Sequence, residues 1–322
     1  MRFVIAFILL TMPLHSQSKA ADTFAESLRA VVQNGIQFVE AKGVYWIESK
    51  KCVSCHRIGN MTWSLLSARA KGLQVSEQLD DWLNWSNEDL LRKNDKGTIV
   101  GTGNKTGVVQ IILSNKLAGS DNYSALTKKL TPLLLTSQSE DGSWKPGGQL
   151  PSQKRAKEET TRVTTMWIAL ALIQNTPATE PPTELTRALD YLRDKPMGKS
   201  TEWFLARYML AKELGQRDVQ AATIASLLKF QQNNGGWGWN LDESSDALAT
   251  GMALYALSQV APDAVIESAI AKAQKFLATT QLENGSWKVN GTKSNKRDTP
   301  IETSIFWGAS WAVLGLAETL PD

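Results

Sequence analysis

The feature that most constrains the fold of this chain is a short segment that recurs three times. Each copy has a glutamine, an Asp or Asn followed by glycine, a small residue and a tryptophan, and the copies occupy residues 138–144, 231–237 and 281–287. Each copy follows an apolar helical run and precedes a helix that is rich in small residues. Self-similarity at roughly 50 residues per unit indicates stacked supersecondary units. We therefore interpret each unit as helix, turn, helix.

Weaker copies of the same hairpin fill the rest of the chain and bring the predicted number to six. Amphipathic helices alternate with helices that are apolar on nearly every face, which predicts two concentric layers. Six hairpins can close into a ring that leaves no apolar end repeat exposed. The expected class is all-α, an α/α toroid that forms a single closed domain over residues 21–322. The predicted hairpins lie near residues 24–72, 76–117, 121–175, 183–215, 217–260 and 264–319.

The first residues have the pattern of an export signal. A positive start is followed by an apolar run from Phe3 to Leu14, which is too short to span a bilayer, and Ala20 is a small residue at a cleavage position. We expect residues 1–20 to be removed and the protein to be exported, to the periplasm or another extracytoplasmic space. An uncleaved membrane anchor is the alternative. After cleavage we expect no membrane span.

Both cysteines of the chain lie beside a histidine in the pattern Cys52-x-x-Cys55-His56. This spacing is the covalent attachment motif of c-type haem. A disulfide across so short a loop would be strained, and a zinc site would lack further Cys or His ligands once residues 1–20 are removed. We therefore predict one haem c, covalently attached to Cys52 and Cys55, with His56 as axial iron ligand. The sixth ligand is unknown, and the weak candidates are Met166, Met209 and Met252.

The Gln…Gly-x-Trp segments resemble the QW motifs of the squalene cyclase and protein prenyltransferase superfamily, most clearly from Gln281 to Trp287. With the haem motif in its first hairpin, residues 21–75, the chain looks like the cytochrome-c-bearing squalene-cyclase-like toroid proteins of bacteria. The resemblance implies an α/α toroid, in which residues 76–322 form the remainder of the ring around a central cavity lined by inner helices. It does not by itself imply cyclisation.

Two enzymatic activities of that superfamily lack their residues here. Cyclases of the squalene-hopene type protonate an alkene with an Asp-x-Asp-Asp motif, but the matching register reads Asp246-Ala-Leu-Ala and no repeat carries the acid cluster. Protein prenyltransferases need a zinc ion held by Asp, Cys and His, and the mature chain has no spare Cys or His. Whether the protein is an enzyme is therefore open, and no catalytic residue is assigned.

Lone acids and basic runs near the starts of the inner helices have simpler explanations. Glu158, Glu243 and Glu302 would interact favourably with the positive end of a helix dipole. A polar rim around a ligand cavity is the alternative. The basic runs at residues 154–157 and 293–297 are expected to be solvated.

The charge balance limits the functions that remain. With 35 Lys and Arg against 32 Asp and Glu, the chain lacks the basic excess of a nucleic-acid binder. The function we predict from sequence is electron transfer by an exported monohaem c-type cytochrome, with a redox partner protein. The alternative is a haem-dependent enzyme or a binding protein that takes an apolar, isoprenoid-like small molecule in the toroid cavity.

Overall fold

The computed structural model describes residues 14–53, 57–119, 121–147 and 153–320. These residues form α-helices and isolated β-bridges but no β-strand. The α-helices are α1 (Leu14–Lys50), α2 (Ile58–Ala70), α3 (Leu79–Leu91), α4 (Lys105–Ala118), α5 (Asp121–Leu135), α6 (Lys157–Asn175), α7 (Thr183–Leu192), α8 (Thr201–Glu213), α9 (Arg217–Lys229), α10 (Ala247–Ser258), α11 (Ala264–Thr280) and α12 (Glu302–Glu318).

The helices form two layers of a closed ring. The even-numbered helices make the inner layer, since α2 packs on α4, α4 on α6, α6 on α8, α8 on α10, α10 on α12 and α12 on α2. Each odd-numbered helix from α3 to α11 packs on the inner helix that precedes it, and α1 packs on α12. The predicted all-α class, an α/α toroid, is confirmed.

The two layers differ in which residues they bury. In the inner helix α10 every residue from Ala247 to Leu257 is buried, because apolar and small residues occupy all its faces. In the outer helix α7 only Leu185, Ala188 and Leu192 are buried, at the spacing of one helical face. The alternation of amphipathic and apolar helices along the chain therefore corresponds to the alternation of outer and inner layers.

Two glycines let inner helices α10 and α12 approach closely. A β-carbon on Gly251 would lie 2.3 Å from the backbone oxygen of Trp311, and one on Gly315 would lie 2.4 Å from the backbone oxygen of Gly251. No side chain fits at either position without moving a backbone. The small residues in these helices thus have a packing role.

The tryptophans of the three repeated segments are enclosed between the layers. Trp144 and Trp237 are 0% exposed and Trp287 is 1% exposed. Each indole N–H donates a hydrogen bond to a carbonyl at the end of the preceding outer helix, which satisfies a group that the helix leaves unpaired. The accepting carbonyls are those of Thr136 (3.2 Å), Leu227 (2.8 Å) and Leu277 (2.8 Å).

The glutamines of the same segments tie each turn to the next outer helix. The side-chain amides of Gln138, Gln231 and Gln281 each donate both to the glycine carbonyl of their own turn and to a carbonyl of the outer helix that follows around the ring. The accepting residues in those helices are Glu184 (2.7 Å), Ala269 (2.8 Å) and Val31 (2.8 Å). The last of these bonds reaches α1 and so closes the ring.

Most of the predicted export signal lies outside the described residues. Residues 1–13 are not among those described, and export stays a prediction. No helix formed by the described residues combines the length and the apolar character that a bilayer span requires. The N-terminal hairpin predicted at residues 21–75 contributes α1 and α2 to the same ring as the following hairpins.

Candidate functional site

The loops that lead from outer to inner helices meet at one end of the ring, which we call the rim. Gln153 forms an isolated β-bridge with Lys293, and Ser200 forms one with Asn240. The loop of the third hairpin therefore touches the loop of the sixth, and the loop of the fourth touches that of the fifth. An ion pair between Lys154 of the third loop and Glu243 of the fifth links the two pairs, so four loops build one continuous surface.

This surface contains a polar cavity of about 580 Å³, which we call the rim groove. Both signs of charge, an amide and hydroxyls line it, and they come from the loops of the third, fifth and sixth hairpins. Its lining includes Lys154, Glu243, Asp246, Lys288, Asn290 and Arg297.

Asp246 lies at the base of the rim groove, directly before α10. Its side chain accepts a hydrogen bond from the backbone N–H of Ala249 at 2.8 Å, so it caps the helix. Burial raises its pKa to about 6, against the opposing effects of the Ala249 hydrogen bond and the Lys154 charge. At a pH near 6, a carboxyl with this pKa can both give and take a proton, whereas an ordinary aspartate is ionised and has no proton to give.

Lys154 and Glu243 form an ion pair at the edge of the rim groove. The Lys154 side chain is 4% exposed and that of Glu243 is 29% exposed. The lysine is therefore held in place. Glu243 sits in the loop before α10, where we had expected it to serve a helix dipole; Asp246 caps that helix instead.

Arg155, the next residue, is buried under the fourth and fifth hairpins. Its guanidinium pairs with Glu202 at 2.8 Å, donates to the Ser200 hydroxyl at 3.1 Å and lies 5.2 Å from the Trp239 ring centre. The expectation that residues 154–157 form a solvated basic run is wrong for Lys154 and Arg155. The loop crosses to neighbouring hairpins, and their carboxylates compensate the buried charges.

The centre of the ring is filled by aromatic side chains. The Trp63 ring lies 5.3 Å from Tyr255, 5.3 Å from Trp311 and 6.1 Å from Trp167, all in edge-to-face arrangements. The cavity that remains beside them has about 30 Å³, room for about two water molecules. The central cavity implied by the resemblance is therefore mostly occupied by the protein itself.

A few polar groups face this central pocket. Glu202 accepts a hydrogen bond from the Trp167 indole at 3.2 Å, and the Gln110 amide donates to Asn60 at 3.1 Å. The side-chain oxygen of Gln110, Oε1, is buried and has no hydrogen-bond partner among the described residues. This oxygen lies against Gly59 of α2, since a β-carbon on that glycine would approach it to 2.5 Å.

The residues predicted to bind haem are only partly described. Cys52 is exposed, whereas Cys55 and His56 lie outside the described residues. The neighbouring Val53 is fixed by Asp89, which accepts from its backbone N–H at 3.0 Å. Covalent haem attachment therefore stays a prediction.

The three methionines proposed as sixth ligands lie in different places. Met166, Met209 and Met252 are 2%, 7% and 2% exposed. Met252 lines the central pocket, and Met166 lines a separate cavity on the outer side of the ring. Their roles as ligands stay untested, and each has a packing role.

Comparison with known proteins gives the fold. No protein-family profile matches the chain, and no curated protein matches it. Among solved structures, a possible GH105 family member from Salmonella enterica is similar over 99% of both chains (TM-score 0.63, 14% identity). A glycosyl hydrolase family 88 protein from Bacteroides vulgatus covers 92% of this chain and 99% of its own (TM-score 0.59, 13% identity). A type II terpene cyclase from Scytonema covers 93% and 99% (TM-score 0.59, 13% identity).

These findings correct the function predicted from sequence. The similar structures are a glycosyl hydrolase, a possible hydrolase relative and a terpene cyclase, all toroids and none described as a cytochrome. The described residues also contain no group of three or more His, Cys, Asp and Glu side chains able to hold a metal ion. The interpretation as an electron-transfer cytochrome is therefore wrong. At this identity the likeness itself shows the fold alone.

Sequence reasoning noticed Asp246 only as the remnant of a cyclase acid register. The structure turns its carboxyl into the rim groove, and it does not line the central pocket. Its importance depends on the loops that bury it. A sequence signal existed in the aspartate placed directly before an apolar helix, but that signal is equally typical of a helix cap.

Proposed function

We propose that the rim groove binds a carbohydrate and that Asp246 exchanges a proton with it. The observation that carries the proposal is an aspartate with a pKa of about 6 inside a polar cavity of about 580 Å³. Clefts that hold a titratable group with a perturbed pKa are candidates for catalytic sites.

The lining of the groove favours a hydroxylated ligand. A sugar hydroxyl both donates and accepts hydrogen bonds, so it suits a surface that offers donors and acceptors together. Lys288 and Arg297 can donate, Asp246 can accept, and Asn290 can do both. Two of the similar structures are described as a glycosyl hydrolase and a possible member of a GH family, which is the same class of chemistry.

The reaction that fits is hydrolysis of a glycosidic bond. Protonated Asp246 gives its proton to the leaving oxygen while the bond from that oxygen to the anomeric carbon breaks. Water adds its hydroxyl to the anomeric carbon, and its remaining proton returns to the Asp246 carboxylate. Lys154 holds Glu243 beside this carboxyl, so that a second acid borders the same groove.

The experiment is an assay of reducing ends released from neutral and acidic oligosaccharides by the purified full chain. Replacing the acid in Asp246→Asn keeps the helix cap and removes the titratable proton. We expect kcat to fall about 100-fold while the substrate still raises the melting temperature. The rate of the unchanged protein should depend on an ionisation near pH 6.

Asp263→Asn is the matched control. Asp263 also caps its helix, α11, by accepting hydrogen bonds from the backbone N–H groups of Val265 and Ile266, but it is exposed and lies outside the groove. This variant should keep full activity. Absence of any binding or turnover of the oligosaccharides, or equal activity of Asp246→Asn and the control, would contradict the proposal.

A further inference from the structure

A cavity on the outer side of the ring is independent of the rim groove and the central pocket. It has about 410 Å³ and lies between inner helices α6 and α8 and outer helices α7 and α9. A second cavity of about 330 Å³ continues it along α8, and both share Leu192, Arg207 and Val219. We call the two together the outer groove. It opens beside α7, which at 10 residues is the shortest outer helix among those described.

The larger of the two cavities is lined by three cations. Arg162 comes from α6, Arg207 from α8 and Lys195 from the loop after α7, whereas Asp218 is the one acid that lines the same cavity. Neither arginine forms an ion pair with a carboxylate of the described residues. With three cations against one acid, the lining carries an excess of positive charge.

Arg162 gives the strongest sign of a missing partner. The residue is 8% exposed, and its Nε has no hydrogen-bond partner within the described part of the chain. A buried guanidinium N–H without an acceptor is costly, since the group loses its water and gains nothing in return. Burial also lowers the pKa of Arg207 from its ordinary value. An anionic group in the groove would remove both costs.

The smaller cavity is lined by four leucines and Val219, together with Arg193, Arg207 and Gln216. Leu189 and Leu192 belong to α7, Leu210 belongs to α8, and Leu214 directly follows α8. The step from Arg207 to Leu214 along α8 corresponds to about 10 Å. That is a length suited to a medium-chain alkyl group, which would bury apolar surface along its whole extent.

We propose that the outer groove binds a single-chain amphiphile with an anionic head. The head, a carboxylate or phosphate, pairs with Arg162, Arg207 and Lys195. The tail lies along the leucines of α7 and α8. This site is separate from the carbohydrate site proposed above, and neither proposal depends on the other.

The test is titration calorimetry of the full chain with monomeric decanoate and decyl phosphate, with decanol as the neutral analogue. We expect both anions to bind at a single saturable site at least tenfold more tightly than decanol. Arg162→Met and Arg207→Met should each weaken decanoate at least tenfold while affecting decanol little. Arg217→Met, on the exposed start of α9 and outside the groove, should bind as the unchanged protein does.

A second variant guards against simple loss of folding. Ala222→Trp adds bulk at an exposed position that lines the groove and leaves every charge in place. It should abolish decanoate binding while the melting temperature without ligand is kept. Equal affinity for decanoate and decanol, unchanged binding by both arginine variants, or binding only to vesicles of anionic phospholipid and not to the monomers would each overturn the proposal.

Discussion

The centre of the ring and its rim are built by the same hairpins, but they differ in how much space they leave. At the centre, inner helices bring Trp63, Trp167 and Trp311 together and leave about 30 Å³. At the rim, loops of unequal length leave a groove of about 580 Å³ that is lined by charges. Helix packing fixes where the central side chains meet, whereas loop contacts can vary. The centre of this toroid is therefore a packed core, whereas its rim leaves an open polar groove.

Trp63→Ala should have the largest effect, because it removes the ring that three other aromatic side chains contact. We expect the free energy of unfolding to fall by about 3–5 kcal/mol, measured by urea denaturation. Lys288→Ala in the rim groove should change it by less than about 0.5 kcal/mol. Similar losses in both variants would contradict the division between centre and rim.

Gly285→Ala tests how tightly the rim turns are attached to the outer layer. Gly285 has φ +79°, and a β-carbon there would lie 2.1 Å from the carbonyl oxygen of Asn34 in α1. We expect a loss of about 2–4 kcal/mol. Gly215→Ala is matched in φ, at +66°, but its β-carbon would meet no atom within 4 Å. That variant should lose only the conformational part, about 1 kcal/mol.

The pH dependence of stability should reveal the raised pKa of Asp246. The folded protein keeps a proton on this carboxyl up to about pH 6, while the unfolded chain releases it near pH 4. Between these values the folded state binds more protons, so the free energy of unfolding should fall as pH rises, by on the order of 2 kcal/mol. In Asp246→Asn this fall should vanish relative to the unchanged protein. A pH-independent difference between the two would mean that the carboxyl has an ordinary pKa.

Lys154→Met should have a smaller effect on stability than Trp63→Ala, Gly285→Ala or the ionisation of Asp246. It leaves Glu243 without its cation, but the glutamate is partly solvated, so we expect a loss of about 1 kcal/mol. Arg193→Met breaks the Arg193–Asp190 pair on α7, where both side chains are more than half exposed, and should cost less still. The melting temperatures of the two variants at equal ionic strength would show whether the partly buried Lys154–Glu243 pair contributes more stability than the exposed Arg193–Asp190 pair.

The sequence was most informative about features that depend on local spacing. Gln138, Gln231 and Gln281 predicted the turns, and the apolar runs around them predicted the layers, because both depend on local spacing. The resemblance to toroid proteins rests on the same residues. Closure of the ring followed from the number of hairpins.

Residues whose role depends on a distant hairpin were missed or misread. Lys154 and Arg155 were expected in solvent because their partners, Glu243 and Glu202, follow them by more than 45 positions. Arg162 was missed, although it is the one arginine of inner helix α6 and precedes its apolar run.

The haem motif is the strongest local pattern that the structure leaves untested. Intact mass of the protein, made with a cytochrome c maturation system, would show whether Cys52 and Cys55 carry a covalent group. Cys52→Ala with Cys55→Ala should then return the mass to that of the polypeptide.

The hydrogen bond from Gln281 to Val31 joins residues 250 positions apart. It also lies where α1 packs on α12, the last helix of the chain. During synthesis α1 therefore cannot pack on α12 until almost the whole polypeptide has emerged. The apolar face of α1 that contacts α12 is uncovered for that time. The seam between first and last helices should form late and, since contacts across such long loops are the slowest to form, set the pace of folding.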